Sequence, residues 1–169
     1  MTLFDDMLEA WRYTRDGVIA ELENLPDARC HERPAGLLRS PLDLANHIIE
    51  SGWLMAGELS RADGDFLRKP YPELVAELNP DAPAGTHAEA LAVLRRSLEQ
   101  GLALLRDAGE ARMVQPIRQF NGVPALRLSW MHHGVAHEEY HRGQLALYAR
   151  LFGLTPALTK LIEGETVSA

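Results

Sequence analysis

Cysteine is nearly absent from this chain: Cys30 is the only one among 169 residues. That excludes an intramolecular disulfide and a cysteine-built metal cluster, and it fits a reducing compartment. Long apolar runs are missing too; none approaches the ~18 residues needed to span a bilayer. The N-terminal stretch MTLFDDMLEA carries acids early and lacks the basic-then-apolar layout of a secretion signal. A cytoplasmic protein with no membrane partner is the resulting expectation. Basic residues are in deficit, 17 Lys and Arg against 24 Asp and Glu, for a formal net charge of -7. An acidic chain repels phosphate backbones, and the short clusters Arg68-Lys69 and Arg95-Arg96 make no basic stripe, so no nucleic-acid partner is expected.

What is present is helical periodicity. The length suits one domain over residues 1–169, and a domain of that size buries a core without staples. From about Thr2 to Leu25, the residues Phe4, Met7, Leu8, Trp11, Val18, Leu22 and Leu25 form one apolar stripe, which Pro26 stops. A second helix opens at Ser40-Pro41-Leu42-Asp43, a capping-box-like start with proline in its preferred first position, and reads on to about Ser60. A third opens at Thr86-His87-Ala88-Glu89, carries Leu91, Leu94, Leu98, Leu102 and Leu105, and ends near Gly109. The fourth is expected to begin after Gly122, with Pro124 near its first turn, and to run to about Phe152 before Gly153. No segment shows strand alternation. The proline-rich stretch between the second and third helices is too long for a tight turn. It has room for a short helix from Pro72 to Leu78, and such a crossover lets the two middle helices run parallel. Long loops of this kind often lie over a site. The tail from Thr155 is expected to add a short helix outside the bundle.

Three of the seven histidines, His133, His137 and His141, form a ladder of four-residue steps. On a helix such partners lie one turn apart with about 40° offset, so two imidazoles can reach one ion from the same face. Steps of three and four link Trp130, Gly134, His137, His141, Leu145, Tyr148 and Phe152, which puts His137 and His141 in the apolar seam and His133 at its edge. His132 is expected to face outward. Leu44, His47, Ser51, Leu54 and Met55 make the inward face of the second helix, so His47 enters the core from there. Buried imidazoles stacked in an apolar seam need a polar partner, and a metal ion is an economical one. Two ligands from one helix and one from another is how bundles build internal metal sites. Three imidazoles leave a position open, as catalytic metals require, and they suit zinc, nickel, iron or copper. His31 and His87, in a loop and at a helix start, read as surface residues.

The string HEEYHRGQLALYARLFG, from His137 to Gly153, resembles the last-helix signature of the DinB/YfiT-like superfamily, and SPLDLANHIIESGWL resembles its second-helix motif. The order of helices and the long second connection agree, so the resemblance spans nearly the whole chain. It implies an all-α four-helix bundle with a long crossover between helices 2 and 3. It also implies a metal triad of His47, His137 and His141, with nickel or zinc as the divalent ion, in a bundle that commonly forms a homodimer. Relatives of this kind include thiol-dependent S-transferases, in which the metal activates a low-molecular-weight thiol. A small-molecule thiol and an electrophilic substrate are the partners so implied. The chain departs from the pattern in His133, which is a further candidate for a ligand or for a place just behind one.

Around the triad, Glu50 and Glu138 are candidates for orienting an imidazole or carrying a proton, although surface charge is the simpler reading of both. Gln144, three residues past His141, can hydrogen-bond a ligand imidazole. Arg142 could meet a thiol's carboxylate, but a surface ion pair is the simpler reading. Trp11, Trp53 and Trp130 sit at helical spacing and suit a core or a dimer interface better than a cofactor box. Hydrolysis by the same metal site, and a non-catalytic dimeric metal-binding or stress-response bundle, are the alternatives to thiol transfer.

Overall fold

The computed structural model describes residues 2–36 and 39–164. Four long helices build the bundle: α1 (Leu3–Glu23), α2 (Pro41–Ser60), α4 (His87–Ala108) and α6 (Arg127–Leu151). The crossover carries α3 (Tyr71–Leu78). The short α5 (Glu110–Met113) leads into the strands β1 (Pro116–Arg118) and β2 (Pro124–Leu126), and α7 (Ala157–Ile162) follows α6. Three of the long helices start at reciprocal caps, where a hydroxyl accepts from the third residue's N–H and that residue's carboxylate accepts in return: Thr2 with Asp5, Ser40 with Asp43, Thr86 with Glu89. No described helix is long and apolar enough to cross a membrane.

Packing partners reveal the helix directions. Near one end of the bundle, Leu8 of α1, Leu59 of α2, Leu105 of α4 and Met131 of α6 share a buried cluster. Towards the other end, Leu22, Leu44, Leu94 and Leu145 do so. Helices α1 and α6 therefore run one way and α2 and α4 the other. The parallel middle pair is the arrangement that the long crossover was expected to permit. The crossover itself is anchored by Glu58, fully buried, which accepts from the backbone N–H of Asp65 at 2.9 Å and from the guanidinium of Arg68. The tail helix α7 is held on α1, as Glu21 accepts from the backbone N–H groups of Ala157 and Leu158 at 2.9 and 3.0 Å.

The start of the last long helix differs from the sequence expectation. Pro124 lies not in its first turn but in β2, which pairs antiparallel with β1 in the register Pro116↔Leu126, Ile117↔Ala125, Arg118↔Pro124. Proline is tolerated there because it stands at the strand's first residue, where a missing N–H costs little. The turn uses Gly122 at φ 82°. Strands of three residues are too short to show alternation in sequence. The hairpin is also joined to the crossover: the Phe66 N–H donates to the Arg118 carbonyl at 3.1 Å, and the Arg118 Nε donates to Asp65 Oδ2 at 2.9 Å. Arg127, which opens α6, donates from Nη1 to the carbonyls of Glu58 and Leu59, both at 3.0 Å, and so satisfies the C-terminal end of α2.

Candidate metal centre

Helices α2 and α6 run antiparallel and close together. A Cβ on Gly134 would overlap the Met55 side chain, so the glycine lets Met55 lie flat against α6. That approach brings His47 of α2 against His137 and His141 of α6. His137 Nε2 lies 3.3 Å from His47 Nε2 and 3.1 Å from His141 Nε2. One ligand atom from each ring falls within 4.8 Å of the other two, and the three residues could hold a metal ion. The rings meet in T-shaped pairs, with centroids 4.5 to 5.1 Å apart. Nitrogens on a tetrahedral ion at ~2.0–2.1 Å are roughly 3.3 Å from one another, which the two spacings through His137 match.

The electrostatics favour the neutral, lone-pair-bearing form. Burial pushes His47 down to about 4, helped by the charge of Arg39 and by the two neighbouring imidazoles. Burial likewise pushes His137 down to about 4, with His141 adding to it. His141 is also lowered by burial, against the opposing hydrogen bond to Gln144. That bond, from His141 Nδ1 to Gln144 Oε1 at 2.7 Å, assigns the proton to Nδ1 and leaves Nε2 free to coordinate. On α2, Ser51 Oγ donates to the His47 carbonyl at 2.6 Å.

The open side of this cluster is a cavity of about 130 Å³, bordered by His47 and His137. Its walls are Phe66 and Tyr71 from the crossover, Phe120 from the hairpin turn, and Trp130 and His133 from α6. The helical spacing placed Trp130 in the seam, as a core or dimer-interface residue and not as a cavity wall, and singled out none of the other three aromatics. Only the long loop's tendency to cover a site pointed towards them, since no periodicity places a loop residue. His141 lies deeper, at 3% exposure, and does not border the cavity.

The remaining candidates fall outside the cluster. His133 is exposed and stacks on Trp130, centroids 4.5 Å apart, so it lines the cavity and stays out of the nitrogen cluster. Glu50 is half-buried on α2; its charge, with burial, raises the pKa of Tyr71. Glu138 corrects the surface reading: it is 2% exposed, and its carboxylate faces α1. Its Oε1 accepts from Trp11 Nε1 at 2.7 Å and Arg15 Nη2 at 2.6 Å, and its Oε2 accepts from Arg15 Nε at 2.8 Å. Arg15 Nη1 continues to the Leu94 carbonyl and Ser97 Oγ at 3.0 and 3.1 Å. A signal for this fork exists in the sequence, because Arg15 stands in the α1 seam between Trp11 and Val18, where an unpaired charge could not stay. Arg142 is buried as well, packed against Gly17 and paired with Glu139 at 3.2 Å, away from the cavity. His87 is another correction: it is buried, and its Nε2 donates to the Leu22 carbonyl at 2.8 Å. His31 and His132 are exposed, as expected. Cys30 is buried at a distance from the cluster, and burial raises its thiol pKa, which leaves it unreactive.

A family model, the DinB superfamily, matches residues 10–145, most of the chain. The chain belongs to the DinB superfamily. Among solved structures, this DinB protein is similar to the crystal structure of a DinB-like protein, YjoA, from Bacillus subtilis. The TM-score is 0.68 at 19% identity, over 89% of this chain and 93% of that one. That likeness supports the all-α DinB fold. No curated protein matches.

Proposed function

We propose that this DinB-superfamily protein is a metal-dependent S-transferase, which joins a low-molecular-weight thiol to an electrophilic substrate. In this reading His47, His137 and His141 hold one divalent ion, and of the metals that imidazoles suit, nickel or zinc is the one the family resemblance implies. The observation that carries it is the convergence of three neutral imidazoles on one point whose open side faces a cavity. A closed structural site would have no such opening. When bound, the ion would supply Lewis acidity, lowering the pKa of a thiol whose sulfur reaches it towards neutral pH.

The chain's own residues perform the rest. Gln144 fixes the tautomer and plane of His141. Glu138 and Arg15 hold α6 on α1 so that His137 keeps its place. The aromatic walls give the open side an apolar lining. The choice of thiol transfer over hydrolysis is supported by the resemblance of HEEYHRGQ and its flanks to the superfamily signature, since characterised members of that superfamily include thiol-dependent S-transferases and a thiol-dependent isomerase. A homodimer belongs to the same reading. Ala136, Tyr140, Gly143, Leu147 and Leu151 form an exposed seam along α6 at steps of three and four, and a Cβ on Gly143 would meet open space.

The test is elemental analysis of purified protein, followed by bacillithiol, mycothiol, glutathione and cysteine, each offered with an electrophile. Roughly one ion per chain and metal-dependent loss of one thiol are expected. Metal without thiol consumption across the panel would turn the assignment to hydrolysis or to binding alone. Absence of metal would remove it.

A further inference from the structure

We propose that the cavity beside the triad receives an uncharged group about the size of one benzene ring, carried by the electrophilic substrate. The word substrate rests on the transferase reading above; the binding of such a ring does not. Size is the first argument. The cavity holds about 130 Å³, and an apolar cavity of ~150 Å³ accepts benzene.

The lining is the second. Leu54, Met55 and the fully buried Phe66 give it apolar surface, Ser51 and the imidazoles are its polar groups, and among the described residues no Lys, Arg, Asp or Glu borders the cavity. A charged ligand would lose its hydration there with no counter-ion to replace it.

The arrangement of the rings is the third. Phe66 lies 5.0 Å from both Phe120 and Trp130, and Phe120 lies 5.9 Å from Trp130 and 6.0 Å from Tyr71. Their planes are tilted by 47 to 61°. Rings so close engage each other's edges and faces and make a continuous tilted wall. A cage for an alkylammonium instead needs separate rings turning free faces to one centre. The wall thus offers a flat apolar surface and not a cation box.

Exposure at the rim is the fourth. Phe120 and Tyr71 are 41% and 44% exposed at the mouth. An apolar guest that covers them takes their apolar surface out of water together with its own, and so gains from both.

Binding of fluorobenzene to the purified protein, followed by 19F NMR, tests this, with metal content measured on the same samples. Saturable binding is expected for the wild type. Phe120→Ala, at an exposed turn, should weaken it by about fivefold or more, the size of a lost ring contact. Ser51→Leu should fill the cavity and abolish it; if that variant does not fold, Phe120→Ala decides alone. Tetramethylammonium should fail to displace the probe. No saturable binding, an unchanged affinity in Phe120→Ala, or tighter binding of tetramethylammonium overturns the proposal. Fluorobenzene binding as expected in protein without metal would sink the transferase reading and leave this one standing. Metal at full occupancy without fluorobenzene binding would do the reverse.

Discussion

His137 and Glu138 are neighbours in sequence yet belong to different environments: the imidazole joins the histidine cluster, while the carboxylate is locked into the buried guanidinium of Arg15. The rotation of about 100° per residue along α6 separates the two. The position of one therefore depends on the anchorage of the other.

Glu138→Ala leaves Arg15, which is 0% exposed, as an uncompensated buried charge. A loss of about 3–5 kcal/mol is expected, read from urea unfolding by circular dichroism. Metal occupancy should fall with it. A variant as stable as the wild type would show that the fork does not anchor α6.

Replacing His137 or His141 with Ala should abolish metal retention while the helical circular dichroism persists, because neither ring carries the core. Gln144→Ala keeps all three nitrogens but frees the His141 ring, so a loss of about 10–100-fold in metal affinity is expected. Competition with a chromophoric chelator measures it. Retention of the ion at wild-type affinity in all three variants would reject the triad.

Acid should destabilise the metal-free protein in a defined window. His47 and His137 are held near pKa 4 when folded, against about 6.5 in the unfolded chain. Between those values the unfolded chain binds more protons, so stability rises with pH across the interval. Above about pH 6.5 these groups leave stability flat, and it falls steadily as pH drops towards about 4. Urea midpoints measured through the window, for wild type and for His47→Ala/His137→Ala, provide the comparison; the double variant should show the shallower slope. Equal slopes would contradict the burial argument.

Two charges introduced into the exposed α6 seam, Tyr140→Glu and Leu147→Glu, should convert the proposed dimer to a monomer without unfolding it, since both residues are exposed. Sedimentation equilibrium distinguishes the species. A wild type that is already monomeric would remove this surface from the functional reading.

The helices were legible because their information is local. Ser40 with Asp43 and Thr86 with Glu89 announced two starts, and steps of three and four placed the seams. The histidine cluster was legible for the same reason, since His137 and His141 share one face and His47 falls on the inward face of α2. Glu138 was not, because its partner Arg15 is 123 positions away and an acid beside a ligand histidine looks solvated in isolation. The hairpin escaped because three-residue strands hold no period. Phe66, Tyr71 and Phe120 converge only through the crossover and the turn, and no one-dimensional pattern encodes that meeting.

The backbone bond between Phe66 and Arg118 welds the crossover to the hairpin, so three of the rings ride on connecting segments while the nitrogen atoms ride on α2 and α6. Loop substitutions can therefore reshape that side of the cavity while the three imidazoles keep their places; Trp130, His133 and Met55, which share the histidine-bearing helices, allow no such freedom.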